Sequence, residues 1–100
     1  MHVIAKSRLI HFWEMHADAR GPLSAWYNEF IHAKWRTWAE LKERYPSADG
    51  VGNGRYVFNI KGNKYRLVAA INFEFGTVYI KFIGTHAEYD KINAREVEPS

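Results

Sequence analysis

The apolar pattern of this chain changes its period once, near Arg55, and that change restricts the fold more than any other feature. Before it, Leu9, Phe12, Trp13 and Ala17, then Leu23, Trp26, Tyr27, Phe30, Ile31 and Trp35, recur at three- and four-residue spacing, as helices with one buried stripe require. After it, the period becomes strand-like. A short strand is expected at residues 2–6, with Ser7 capping a first helix. Gly21-Pro22 is expected to stop that helix and open a second. Thr37-Trp38-Ala39-Glu40 matches a capping box, so a short third helix should begin there and end before Pro46. Residues 47–54 read as a loop. Residues 55–61, 64–73 and 77–85 read as an antiparallel meander broken at Gly62-Asn63 and near Gly76, and only residues 96–100 are expected to fray. The expected fold class is α+β: a two-layer domain of an N-terminal strand, two to three helices and a three-stranded antiparallel meander. Helices would cover one sheet face and leave the other free for function.

At 100 residues the chain is expected to form a single domain, residues 1–100, around one core. The apolar fraction of 47% suffices for that core, and the absence of cysteine excludes disulfides and thiolate metal sites. No apolar run approaches the roughly 18 residues that span a bilayer, and the N-terminus lacks a secretory-signal layout, so a soluble cytoplasmic protein with no membrane contact is expected. Net charge is +3, but between Arg55 and Lys91 six Lys/Arg face three acids, which points the C-terminal half toward an anionic partner.

A hairpin turn at Gly62-Asn63 would set Asn59 opposite Arg66 and Ile60 opposite Tyr65. Tyr56, Phe58, Ile60, Tyr65, Leu67, Ala69 and Ile71 then form the core face. Asn59, Lys61, Lys64 and Arg66 form a cationic platform on the other side, with Val57 and Val68 deeper on it. Lys61 and Lys64 also suit a plain solvated turn that discourages edge pairing. Arg66 differs, because a guanidinium in a strongly apolar strand needs a carboxylate partner or an anionic ligand, and the ligand is favoured.

The last strand runs into His86-Ala87-Glu88-Tyr89-Asp90-Lys91, five chemistry-capable side chains beside a flexible Gly84. Glu88 and Asp90 suit the start of a helical turn, whereas His86 and Tyr89 are candidate functional groups. A three-residue loop at residues 74–76 would place Gly84 opposite Arg66 and His86 diagonal to it. A two-residue loop would reverse the parity, and the apolar pattern fits either.

Residues 59–68, Asn-Ile-Lys-Gly-Asn-Lys-Tyr-Arg-Leu-Val, and 82–92, Phe-Ile-Gly-Thr-His-Ala-Glu-Tyr-Asp-Lys-Ile, closely resemble the HigB toxins, a RelE-like family of bacterial toxin-antitoxin modules. The opening residues 1–10 and Ala25-Trp26-Tyr27 are similar too, so the likeness covers nearly the whole chain. The resemblance implies an endonuclease acting on ribosome-engaged mRNA, neutralised by a helix-turn-helix antitoxin of the HigA type, with operator DNA met indirectly through that antitoxin. It also implies a phosphate-binding role for Arg66 and a functional basic residue at His86. Tyr89 is the nearest match to the tyrosine commonly used near the C-terminus of RelE-like toxins.

Cutting RNA without a metal requires a deprotonated 2′-hydroxyl, a stabilised phosphorane and a protonated leaving oxygen. Arg66 suits the phosphate, His86 proton transfer, and Tyr89 proton transfer or base stacking; Asn59, Lys61 and Lys64 are assigned to RNA binding. No cofactor or metal is expected, since no helical His-Glu-x-x-His or comparable ligand spacing occurs. A non-catalytic RNA-binding module and a co-repressor subunit remain the rival readings.

Overall fold

The computed structural model describes residues 1–99. Among them, the strands are β1 (His2–Ile4), β2 (Asp49–Gly52), β3 (Arg55–Ile60), β4 (Tyr65–Asn72) and β5 (Thr77–Thr85). The helices are α1 (Lys6–Met15), α2 (Arg20–His32), α3 (Trp38–Arg44) and α4 (His86–Tyr89), with a 3₁₀ turn at Ala17–Ala19. The strands form one sheet in the order β1-β5-β4-β3-β2, antiparallel except where β1 runs parallel to β5. The α+β architecture is as expected, but the meander is extended on both edges.

Helices and sheet meet along the stripes the sequence marks out. Leu9, Phe12, Leu23, Trp26, Phe30 and Leu41 are buried against Phe58, Ile60, Leu67, Ala69, Ile71, Val78 and Ile80. Each Leu, Ile, Val or Phe among them contributes on the order of 1.5–3 kcal/mol on burial, so this interface dominates the fold's stability. Tyr65 is buried with them, its ring edge-on to Phe12 at 5.2 Å.

Several boundaries differ from expectation for local reasons. Ser7 does not cap α1; the helix starts at Lys6 after Ala5, which takes a left-handed conformation (φ 78°) to turn the chain out of β1. Gly21-Pro22 does not separate the helices, because α1 has already ended at Met15 and both residues lie in the first turn of α2, where proline's missing N–H is harmless. Thr37 does cap α3, its Oγ1 accepting from Glu40 N at 3.2 Å, but the Glu40 carboxylate accepts from Arg36 N instead of closing a box. Residues 49–52, read as loop, form the edge strand β2; its Gly-rich sequence hides the pattern, and register with β3 supplies the pairing.

The second sheet face is not free. After α4 the chain folds back across it, and Ala94, with Ile92 and Val97, packs on Val57 and Val68. Arg55, buried on this face, donates to the carbonyl oxygens of Val97 and, at 3.4 Å, Ala94, and pairs with Glu98. Glu98 also accepts from Lys81 Nζ at 2.7 Å. The tail expected to fray is thus tied down through Glu98, while Ser100 lies outside the described residues. What stays open on this face is the end nearest the β3–β4 turn, where Asn59 is exposed.

Candidate active site

The register of β3 against β4 is the one the hairpin pattern predicts, with Asn59 opposite Arg66 and Ile60 opposite Tyr65. The turn achieves it with four residues, 61–64, closed by Lys64 N donating to Lys61 O at 3.2 Å, with Lys61 and Gly62 left-handed at φ 52° and 64°. Two extra residues leave the parity unchanged.

The β4–β5 connection reaches the expected pairing by a different route. Its loop is four residues, 73–76, with Asn72 opposite Thr77, which alone would reverse the parity. A bulge at Lys81 restores it, so that Gly84 lies opposite Arg66 and Phe82 opposite Val68. Below the bulge Val78 and Ile80 face the helices; above it Phe82 joins the cluster under the C-terminal segment.

Gly84 is buried and closely packed: a Cβ there would lie 2.5 Å from Phe82 Cζ and 3.1 Å from Glu88 Oε1. Directly beyond it, Thr85 and Glu88 form a reciprocal capping box (Glu88 N to Thr85 Oγ1 3.1 Å, Thr85 N to Glu88 Oε1 2.7 Å) that starts α4. Glu88 therefore acts as the expected helix-start residue. His86 and Tyr89, three apart on this helix, project from neighbouring positions.

Arg66 and Tyr89 meet here, the guanidinium carbon 5.9 Å from the ring centroid. Arg66 also donates from Nη1 to Asn63 O at 3.2 Å, and among the described residues no carboxylate pairs with it. His86 is half-exposed, its Nδ1 3.2 Å from Asp90 Oδ2, and its backbone N–H donates to Lys64 O at 3.1 Å. The β3–β4 turn thus touches both Arg66 and the first residue of α4.

A family model described as "HigB_toxin, RelE-like toxic component of a toxin-antitoxin system" matches residues 19–92. The chain belongs to the HigB toxin family. It is 33% identical over 96 residues to the mRNA interferase toxin HigB of Escherichia coli strain K12, covering 94% of this chain and 92% of that protein. It is equally similar to the mRNA interferase HigB of Shigella flexneri, and 30% identical over 94 residues to that of Escherichia coli O6:H1, covering 92% and 91% of the two chains. The residues matched by the family model include Asn59, Lys61, Lys64, Arg66, His86 and Tyr89.

In this HigB-family chain the two lysines depart from the expected platform. Lys64 Nζ lies 2.5 Å and Lys61 Nζ 3.5 Å from Asp18 Oδ2, and Tyr65 OH donates to Asp18 Oδ1 at 2.5 Å. Lys61 leaves the extended conformation, so strand alternation ends before it, and both ammonium groups reach the helical side of the turn instead of standing beside Arg66. The hydrogen bonds from Lys64 and Tyr65, reinforced by the lysine charges, hold the Asp18 carboxyl well below the usual carboxylate range. Asp18 in turn raises the Lys64 and Tyr65 pKa values.

Sequence reasoning missed Asp18, which lies some forty residues from its partners in a short turn with no motif of its own. It also missed Asp90 as the partner of His86, although their four-residue spacing signals that contact. No helix among the described residues is long and apolar enough to cross a membrane.

Proposed function

We propose that this chain is the toxin of a type II toxin-antitoxin pair and cuts mRNA on the ribosome as an endoribonuclease. The observation that carries this reading is Arg66: a guanidinium rooted in an apolar strand, given no carboxylate among the described residues, next to a tyrosine and at the same sheet end as a histidine. A phosphodiester supplies the missing anion. The names of the similar proteins, mRNA interferases, support the same substrate.

In this mechanism Arg66 grips two non-bridging oxygens of the scissile phosphate and stabilises the charge that builds as the 2′-hydroxyl attacks. His86 transfers the proton, oriented by Asp90 through Nδ1. Tyr89, with its ring already under a guanidinium, stacks on a base or takes the second proton-transfer role. Exposed Asn59, opposite Arg66, contacts the strand, and Lys61 and Lys64 attract it with a charge that Asp18 only partly neutralises. The chemistry needs no metal and no cofactor. The protein acts in the cytoplasm, is silenced by a helix-turn-helix antitoxin of the HigA type, and reaches operator DNA only through it.

Primer extension on cellular transcripts after inducing wild type and His86→Ala in parallel tests the reading. Wild type should leave discrete breaks in translated mRNA, and the variant, folded by circular dichroism, should lose them by roughly 10²-fold or more. Intact transcripts with tight RNA binding would instead assign a non-catalytic RNA-binding module.

A further inference from the structure

Five interactions converge on the β3–β4 turn and the residue after it. Its Lys64 carbonyl accepts the His86 N–H at 3.1 Å, and its Asn63 carbonyl accepts the Arg66 guanidinium at 3.2 Å. Its two ammonium groups rest on Asp18, and the residue that follows it, Tyr65, donates to the same carboxylate. Both proposed reacting groups therefore take one hydrogen bond each from a four-residue loop, one of whose residues is a lysine held left-handed. Left alone, such a turn is a surface loop with little reason to hold one geometry.

Asp18 supplies the restraint. It sits in the 3₁₀ turn between α1 and α2, where neighbouring Ala19 is fully buried and His16 stacks on Phe12 at 4.3 Å. Its backbone is thus anchored in the helical layer, which itself packs on the Tyr65 ring. Both its oxygens are used, one on the buried Tyr65 phenol and one on the two lysines.

We propose that Asp18 is a positioning residue, which clamps the β3–β4 turn and through it Arg66 and His86, while occupying two cations that would otherwise grip RNA. This rests on the nuclease reading above. It separates binding from turnover in a way that a merely stabilising salt bridge does not. Removing the Asp18 charge frees Lys61 and Lys64 for phosphates, so RNA binding tightens and its salt dependence steepens. The loosened turn lets Arg66 and His86 drift, so turnover falls.

Asp18→Asn is the variant of choice, because an amide oxygen still accepts from Tyr65 OH while the attraction for the lysines is gone. Three readouts apply: the cleavage rate of mRNA in a translation extract, the affinity for a short 2′-O-methyl single-stranded RNA across salt concentrations, and hydrogen exchange of the His86 backbone amide without RNA. The expected results are a cleavage rate lowered about tenfold, tighter RNA binding with a slope steeper by up to about 1.4 for two freed lysines, and faster His86 exchange. Unchanged cleavage, weaker RNA binding or unchanged exchange would each overturn the clamp. Should Asp18→Asn fail to fold, Lys64→Gln breaks the same 2.5 Å pair from the other side and must show the same His86 exchange and cleavage loss. If the wild type cuts no RNA, the nuclease reading fails, whereas the exchange measurement still decides whether Asp18 holds the turn.

Discussion

Arg55, at the start of β3, and Arg66, near the start of β4, project from the same sheet face: Arg55 shares the parity of Asn59, and Asn59 stands opposite Arg66. Both are rooted among apolar neighbours. The chain folds its C-terminal segment over the first, giving it two carbonyl oxygens and the Glu98 carboxylate. The second receives one carbonyl and the face of Tyr89. Arg55 is buried, where a guanidinium needs an anion at hand, whereas Arg66 is only partly buried and open to solvent, so the contrast separates a cation whose partner is built in from one left free for the incoming phosphate of the proposed function.

Substituting each arginine tests that contrast most strongly. Arg66→Ala should lower RNA cleavage by on the order of 10²-fold or more while moving unfolding stability by less than about 1 kcal/mol. Arg55→Met should do the reverse, leaving cleavage within about threefold and costing roughly 1–3 kcal/mol, as lost hydrogen bonds at a buried site do. Cleavage assays paired with urea titrations on both variants check this. A stability loss at Arg66 equal to that at Arg55 would mean that both arginines are structural.

How much of this contrast was legible beforehand follows from what strand parity can and cannot carry. The Asn59–Arg66 pairing was readable because two apolar strands meeting at a turn have one register that buries both sets, and a longer turn of the same parity leaves it intact. The helical stripes through Leu23, Trp26 and Phe30 were readable for the same reason. Arg55 was not singled out, because its anion comes from a segment forty-three residues away whose sequence, Arg-Glu-Val-Glu-Pro, looks like a polar tail. The bulge at Lys81 was equally hidden: a strand apolar on both faces gives no sign of where its alternation slips. Of the candidate site, His86, Tyr89 and Arg66 stood out by residue type. The clamp at Asp18 did not, since long-range ion pairs leave no periodic trace.

Gly84 sharpens the comparison at the open end. It stands opposite Arg66, and the space a Cβ would fill is already taken, 2.5 Å from Phe82 Cζ. Gly84→Ala should push Phe82 and the α4 cap apart, lowering cleavage by roughly tenfold through misplaced His86 and Tyr89 and stability by about 1–3 kcal/mol. Steady-state cleavage and thermal unfolding of the variant measure both. A variant with wild-type cleavage would show that the reacting groups tolerate movement of α4 and that the open end is not preorganised.

The smallest expected effect lies at the closed end and depends on pH. Lys81 first, and Arg55 second, hold the Glu98 pKa below its ordinary value. A carboxylate whose pKa is depressed by folding contributes stability that is fully present above its unfolded pKa, about 4.3, and that fades as pH falls through the lower folded value. Glu98→Gln should therefore lower the unfolding midpoint at neutral pH, and the gap between variant and wild type should narrow as the pH drops below about 4. Asp18, also depressed, titrates in both proteins and cancels from the difference. Because Glu98 is more than half exposed, screening keeps the neutral-pH gap small, and added salt should shrink it further. A gap independent of pH would mean that the segment is held by Ala94 and Val97 packing on Val57 and Val68, and that Arg55 is satisfied by carbonyl oxygens alone.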